Sequence, residues 1–138
     1  MIMKRVLILV AILAAGLSGQ AFARLGNSEE QVAALLGKPT EIGKPDSDGV
    51  RTNTYESRYY IALVQFVKGY SVAEAYSRKD RAKFSEKELS IFLDGNSAGK
   101  EWKKKPGKKP AWTRTDHRAD AWYETVTGRP TLFIQAHY

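Results

Sequence analysis

Polar and apolar positions along this chain follow three rhythms, and each predicts a different structure. From Val6 to Leu17 no polar side chain interrupts the run. Two later stretches carry apolar residues at helical spacing, and most of the remainder is rich in β-branched and aromatic residues between turn signals. The first helical stretch follows Ser28-Glu29-Glu30-Gln31. There the serine side chain can accept from the backbone of Gln31, and Gln31 can reach back, which makes a capping box. Val32, Leu35 and Leu36 form the stripe, while Gly37 and Pro39 end it, so the spacing predicts a helix over 29–36. Ser85-Glu86-Lys87-Glu88 repeats the device ahead of Leu89, Phe92 and Leu93, with Gly95-Asn96 as the close.

Extended segments are expected at Arg51–Ser57, Tyr59–Val67 and Tyr70–Ser77, then at Ala111–Thr115, Ala119–Val126 and Thr131–Ala136. Tight turns fall at Lys68-Gly69, Asp116-His117 and Thr127-Gly128. Tyr59 to Val67 is apolar on both parities except at Gln65, which predicts a central strand covered on both faces. Gly37–Gly49 and Gly95–Pro110 read as loops. The fold class that follows is α+β, with two short helices packed on one face of an antiparallel sheet in the order α-β-β-β-α-β-β-β. Ser28 and Ser85 lie 57 positions apart. The same step takes Tyr55 to Trp112, Phe66 to Tyr123 and Tyr76 to Phe133, so the chain reads as a tandem of units 24–80 and 81–138.

The unbroken run changes the picture of where the chain works. It is preceded by Lys4-Arg5 and followed by Ala21-Phe22-Ala23, the charged start and small-x-small end of an export signal over 1–23. Twelve residues of helix reach roughly 18 Å, short of a hydrocarbon core of about 30 Å, so a cleaved signal is expected in place of a membrane anchor. Removing it leaves 115 residues, with 20 basic against 15 acidic side chains and a net charge of +5. That is one ordinary domain, 24–138. The absence of cysteine excludes disulfides, thiol nucleophiles and a lipid anchor. A soluble periplasmic or secreted product is expected.

Candidate chemistry is sparse. Lys100, Lys103, Lys104, Lys105, Lys108 and Lys109 crowd a segment that Pro106, Gly107 and Pro110 keep out of a helix. It reads as a mobile cationic loop able to attract polyanions, or else as a solvated hinge. Trp102, Tyr59 and Trp122 are the candidate interface aromatics, with Trp102 able to serve instead as the anchor of the lysine segment in the core. The strand aromatics read as core with cross-strand pairs, or as a surface for sugar or peptide on the sheet face opposite the helices. The two histidines are His117, in a predicted turn, and His137, next to the end where chains fray. Asp116, His117 and Asp120 have no recognised metal-ligand spacing, and no Gly-x-Ser-x-Gly is present. Glu86 and Glu88 are explained by capping and the helix dipole. No catalytic residue, cofactor or metal is assigned, and the chain reads as a non-enzyme.

The stretch Arg24-Leu25-Gly26-Asn27-Ser28-Glu29-Glu30-Gln31, Leu36-Gly37-Lys38-Pro39-Thr40, Phe66-Val67-Lys68-Gly69, Ser85 to Leu89, Asn96, Trp102 and Trp112-Thr113-Arg114-Thr115-Asp116 together resemble small exported proteins of unknown function from verrucomicrobial and planctomycete bacteria. That resemblance implies the same fold and export. More weakly, the chain is similar to the small lipoprotein of the outer-membrane barrel-assembly machinery and to the β-lactamase-inhibitor fold, itself a tandem of such units. The lipidated cysteine of the former is missing here. The functional expectation is an interaction module contacting an envelope protein or an anionic polymer. Alternatives are an inhibitor of a secreted hydrolase and a hydrolase of wall or polysaccharide. Export carries the lysines away from cellular DNA and RNA, which argues against nucleic acid.

Overall fold

The computed structural model describes residues 24–137. The export-signal reading of 1–23 lies outside the described residues. The element order is α1 (Glu29–Leu36), β1 (Glu41–Ile42), β2 (Val50–Glu56), β3 (Tyr60–Val67), β4 (Tyr70–Arg78), α2 (Glu86–Gly95), β5 (Trp102–Lys104), β6 (Ala111–Arg114), β7 (Ala119–Val126) and β8 (Arg129–Ala136). Both capping boxes form. The Ser28 hydroxyl accepts from the Gln31 amide at 3.2 Å and Gln31 accepts from the Ser28 amide at 2.9 Å. Ser85 and Glu88 do the same at 3.1 and 2.9 Å. Gly37 ends α1 with φ +88°, where a side chain would be strained.

The expected α+β order is present, with one short strand added ahead of each triplet, in segments that read as loops. All eight strands form one antiparallel sheet in the order β1-β2-β3-β4-β8-β7-β6-β5. The second half mirrors the first about the β4–β8 pair. The spacing of 57 holds for the helix caps and for Tyr55 and Trp112, which both face inward. It holds for Phe66 and Tyr123 as well, both against the core, and fails at β4 and β8. Tyr76 faces inward, whereas Phe133, paired with Ala75, faces outward. The hairpin glycines Gly69 and Gly128 are 59 apart, so the second half has gained residues in its loops.

Both helices cover the same face. Val32, Tyr55, Ala62, Val64, Phe66, Tyr76, Phe92, Leu93, Leu132 and Ile134 make the core between them and the sheet. Phe92 is its hub, with ring centroids 5.2 Å from Tyr60, 4.5 Å from Tyr76 and 5.5 Å from Phe84. At β3 the expected cover on both faces is not found. Ala62, Val64 and Phe66 are buried, while Leu63 and Gln65 point to solvent. Two helices supply one layer, and nothing among the described residues lies over the other face, so an apolar residue of outward parity stays exposed.

The residues just after Ala23 are tied into the fold. Ser71 donates to the Arg24 carbonyl at 2.8 Å, accepts from the Gly26 amide at 2.8 Å, and donates to the Asn27 carbonyl at 2.8 Å. The Leu25 amide donates to Asn96 Oδ1 at 2.8 Å.

Candidate functional site

The open face of the sheet is where exposed apolar and polar side chains converge, and strand register arranges them in two rows. Thr54, Leu63, Ala75, Phe133 and Trp122 sit side by side across β2, β3, β4, β8 and β7. One step along the strands, Thr52, Gln65, Ala73, Gln135 and Asp120 form the second row, which continues through Thr113 to Lys103 on β5. Ala73 and Ala75 are successive outward positions on β4, between the longer side chains of β3 and β8. A trough of about 280 Å³ results, floored by Ala73 and Ala75 and walled by Leu63, Gln65, Phe133 and Gln135, with Thr52 and Trp122 behind those walls.

Phe133 and Trp122 stack with centroids 5.1 Å apart and planes 12° from parallel. Trp122 therefore holds Phe133 upright as a wall, and the other face of the Phe133 ring looks across Ala75 into the trough. Trp122 Nε1 donates to Glu124 at 3.3 Å. On either side of Trp122 along β7 stand Asp120 and Glu124. Asp120 meets Lys105 at 3.5 Å, accepts from Thr113 at 2.9 Å and contacts the His137 ring. Burial opposes its ionisation, but the His137 and Thr113 hydrogen bonds and the nearby cations outweigh it and hold Asp120 below the usual carboxylate range. Glu124 is lowered chiefly by the hydrogen bond from Lys109 Nζ at 2.6 Å.

Part of the lysine segment forms an edge hairpin, with β5 and β6 joined through residues 105–110. Lys103 and Lys104 lie on β5, in register with Thr113 and Trp112, and the Lys105 amide donates to the Ala111 carbonyl at 2.7 Å. A three-residue edge strand has no legible alternation, which is why its sequence reads as loop. Lysine and proline there also block edge-to-edge pairing with another chain. Lys105 and Lys109 are paired with carboxylates of the open face. Lys100, Lys103, Lys104 and Lys108 form no ion pair among the described residues.

The three candidate aromatics part company. Trp102 turns inward against the core and donates from Nε1 to the Leu93 carbonyl at 2.7 Å, so it anchors the hairpin. Tyr59 is 58% exposed at the β2–β3 turn, with the Arg58 guanidinium 5.3 Å from its ring centre, and lies outside the trough lining. Trp122 alone belongs to the trough. Asp116, His117 and Asp120 are not brought together as ligands. Asp116 is held by Arg114 at 2.8 Å, His117 occupies a turn at φ +59°, and Asp120 faces His137. Among the described residues no group of three or more such side chains could hold a metal. His137 is not frayed, since its amide donates to the Arg118 carbonyl at 2.9 Å.

Sequence reasoning missed Glu74. It points inward from β4, in register with Val64 and Ile134, and is 2% exposed. Tyr76 donates to its Oε1 at 2.7 Å and Asn96 at 3.2 Å, while Oε2 is buried without a partner. Burial pushes its pKa up to about 8 against the pull of both hydrogen bonds. The signal was available, because in Ala73-Glu74-Ala75-Tyr76 the glutamate shares the parity of Tyr76.

No helix among the described residues is long and apolar enough to cross a membrane. No protein-family model matches the chain, and no curated protein matches it. Among solved structures, it is similar to a cysteine-rich secretory protein from Staphylococcus aureus, with a TM-score of 0.48 and 11% identity over 81% of this chain and 44% of that one. It is also similar to an extracellular protein containing an SCP domain from Bacillus anthracis, with a TM-score of 0.46 and 12% identity over the same shares. The chain spans less than half the length of either protein.

Proposed function

We propose that this chain is an exported, non-catalytic binding module, released by cleavage near Ala23, whose working surface is the open face of its sheet and whose partner is an anionic polymer of the envelope. One observation carries the reading. An eight-stranded sheet has its helices on one side only, and the uncovered side joins an apolar trough to a lysine-bearing edge. Buried apolar contact would supply adhesion and the edge cations would supply attraction for polyanions. The mirrored strand order supports a tandem origin for the two halves.

The test is retention on heparin or lipopolysaccharide resin as salt is raised. Replacing Lys100, Lys103, Lys104 and Lys108 by Gln is expected to move elution to markedly lower salt, because exposed charges act through a field that salt screens. Unchanged elution would remove the polyanion reading. A pull-down from the producing cell's envelope fraction that gave one stoichiometric protein and no polymer would replace it with a protein partner.

A further inference from the structure

We infer that the trough on the open face takes a pyranose ring of an acidic polysaccharide whose chain runs on across the face to the lysine edge; this deepens the binding-module reading and rests on it. The trough is divided along its length. One side is apolar, from Leu63 through Ala75 to Phe133, and the other is amide, from Gln65 through Ala73 to Gln135. A sugar ring is divided the same way, with C–H groups on its faces and hydroxyls round its rim. Standing on the alanine floor with one face against the bare face of Phe133, it would set C–H groups on that ring while its rim hydroxyls meet Gln65 and Gln135. The Trp122 stack holds that wall in place.

An extended peptide fits less well. Backbone groups within the sheet are spent on the ladder, so a peptide lying flat on this face would leave its own N–H and C=O groups without partners. A single apolar side chain would satisfy Leu63 and Phe133 but bury the two glutamine amides against nothing. The volume, about 280 Å³, sits at the small end of ligand clefts. It suits one ring of a chain that runs on along the face.

The acidic character of the ligand follows from charge. The amide row continues through Asp120 and Thr113 to Lys103, and the nearby carboxylates Asp120 and Glu124 are already engaged by Lys105 and Lys109. What the face offers a ligand at that side is therefore the unpaired cation of Lys103, while Lys104 shares the inward parity of Trp102. At about 4.8 Å per strand, Lys103 stands four strands from the alanine floor, so an acid group several sugars further along the chain would meet it.

The experiment is a binding titration against polygalacturonate, neutral dextran and inorganic polyphosphate, the last an anion without rings. The test variant is Ala75→Leu, an outward substitution that fills the trough without touching the core. It is expected to weaken polygalacturonate binding roughly tenfold and leave polyphosphate binding unchanged. Gln65→Ala combined with Gln135→Ala should give the same pattern should the leucine disturb the sheet. Dextran should bind far more weakly than polygalacturonate. Polygalacturonate binding that neither variant weakens, or dextran binding as tight, overturns the inference and leaves the polyanion reading standing. If neither polygalacturonate nor polyphosphate is bound by the unaltered protein, both readings fall. A dimer seen by sedimentation that Ala75→Leu dissociates would assign the trough to a second copy and also overturn the inference.

Discussion

Replacing Glu74 by Gln should change how stability depends on pH, with a sign and size that the structure fixes. The side chain lies between Val64 and Ile134 on the covered face, with one oxygen hydrogen-bonded twice and the other bonded to nothing. Its pKa stands at about 8 in the fold against 4.5 for an ordinary glutamate. A group raised in this way is a neutral acid in the folded domain while the unfolded chain has already lost the proton. Folding therefore takes up a proton over that window, and the contribution to stability is full below about pH 4.5 and falls until about pH 8. At about 1.4 kcal/mol per pH unit, the loss through this group alone is on the order of 4–5 kcal/mol, a large share of a small domain's total. Glutamine cannot titrate. Urea unfolding of both proteins between about pH 5 and pH 9 should show a difference that grows in favour of Glu74→Gln as pH rises. Asp80, Asp116 and Glu124, lowered by their partners, lose their contributions only in more acid solution and cancel in the comparison. Parallel curves for the two proteins would refute the reasoning, because they would mean that Glu74 is ionised and solvated in the fold.

Phe92→Ala empties the hub of the aromatic core and should cost roughly 3–5 kcal/mol in urea unfolding, with loss of near-ultraviolet ellipticity. Ser85→Ala removes the α2 cap and should cost about 1 kcal/mol, and a loss above twice that would point to a role beyond capping. Asn96→Ala takes away the acceptor of the Leu25 amide and a donor to Glu74, and should cost roughly 2–4 kcal/mol while opening residues 24–27 to limited proteolysis. Lys109→Ala breaks an exposed pair with Glu124 and should change stability by less than about 1 kcal/mol.

The helices were legible because each is announced by reciprocal side-chain to backbone bonds between residues three apart, a local device that needs no tertiary information. The hairpins were legible for the same reason, since Lys68-Gly69 and Thr127-Gly128 both take the positive φ angles of tight two-residue turns. Facing was less legible. Leu63 and Ile61 are apolar at outward positions, so hydrophobicity alone placed β3 under two layers when the chain has helices for one. Glu74 shows the converse, a charged type held inside by parity with Tyr76. The strand inside the lysine segment was not legible because β5 is three residues long and its lysines guard a sheet edge. The trough could not be read from sequence at all. It depends on Ala75 lying between Leu63 and Phe133, and on Ala73 lying between Gln65 and Gln135, and those neighbours are set by pairing β4 with β8 across nearly half the chain.

Mapping backbone amide shifts while adding a short acidic oligosaccharide is the most direct check that the open face does the binding. Perturbations are expected at Leu63, Ala73, Ala75, Phe133 and Gln135, spreading to Lys103, with the amides of α1 and α2 unmoved. Shifts gathered on the helical side, or none at saturating ligand, would contradict the claim.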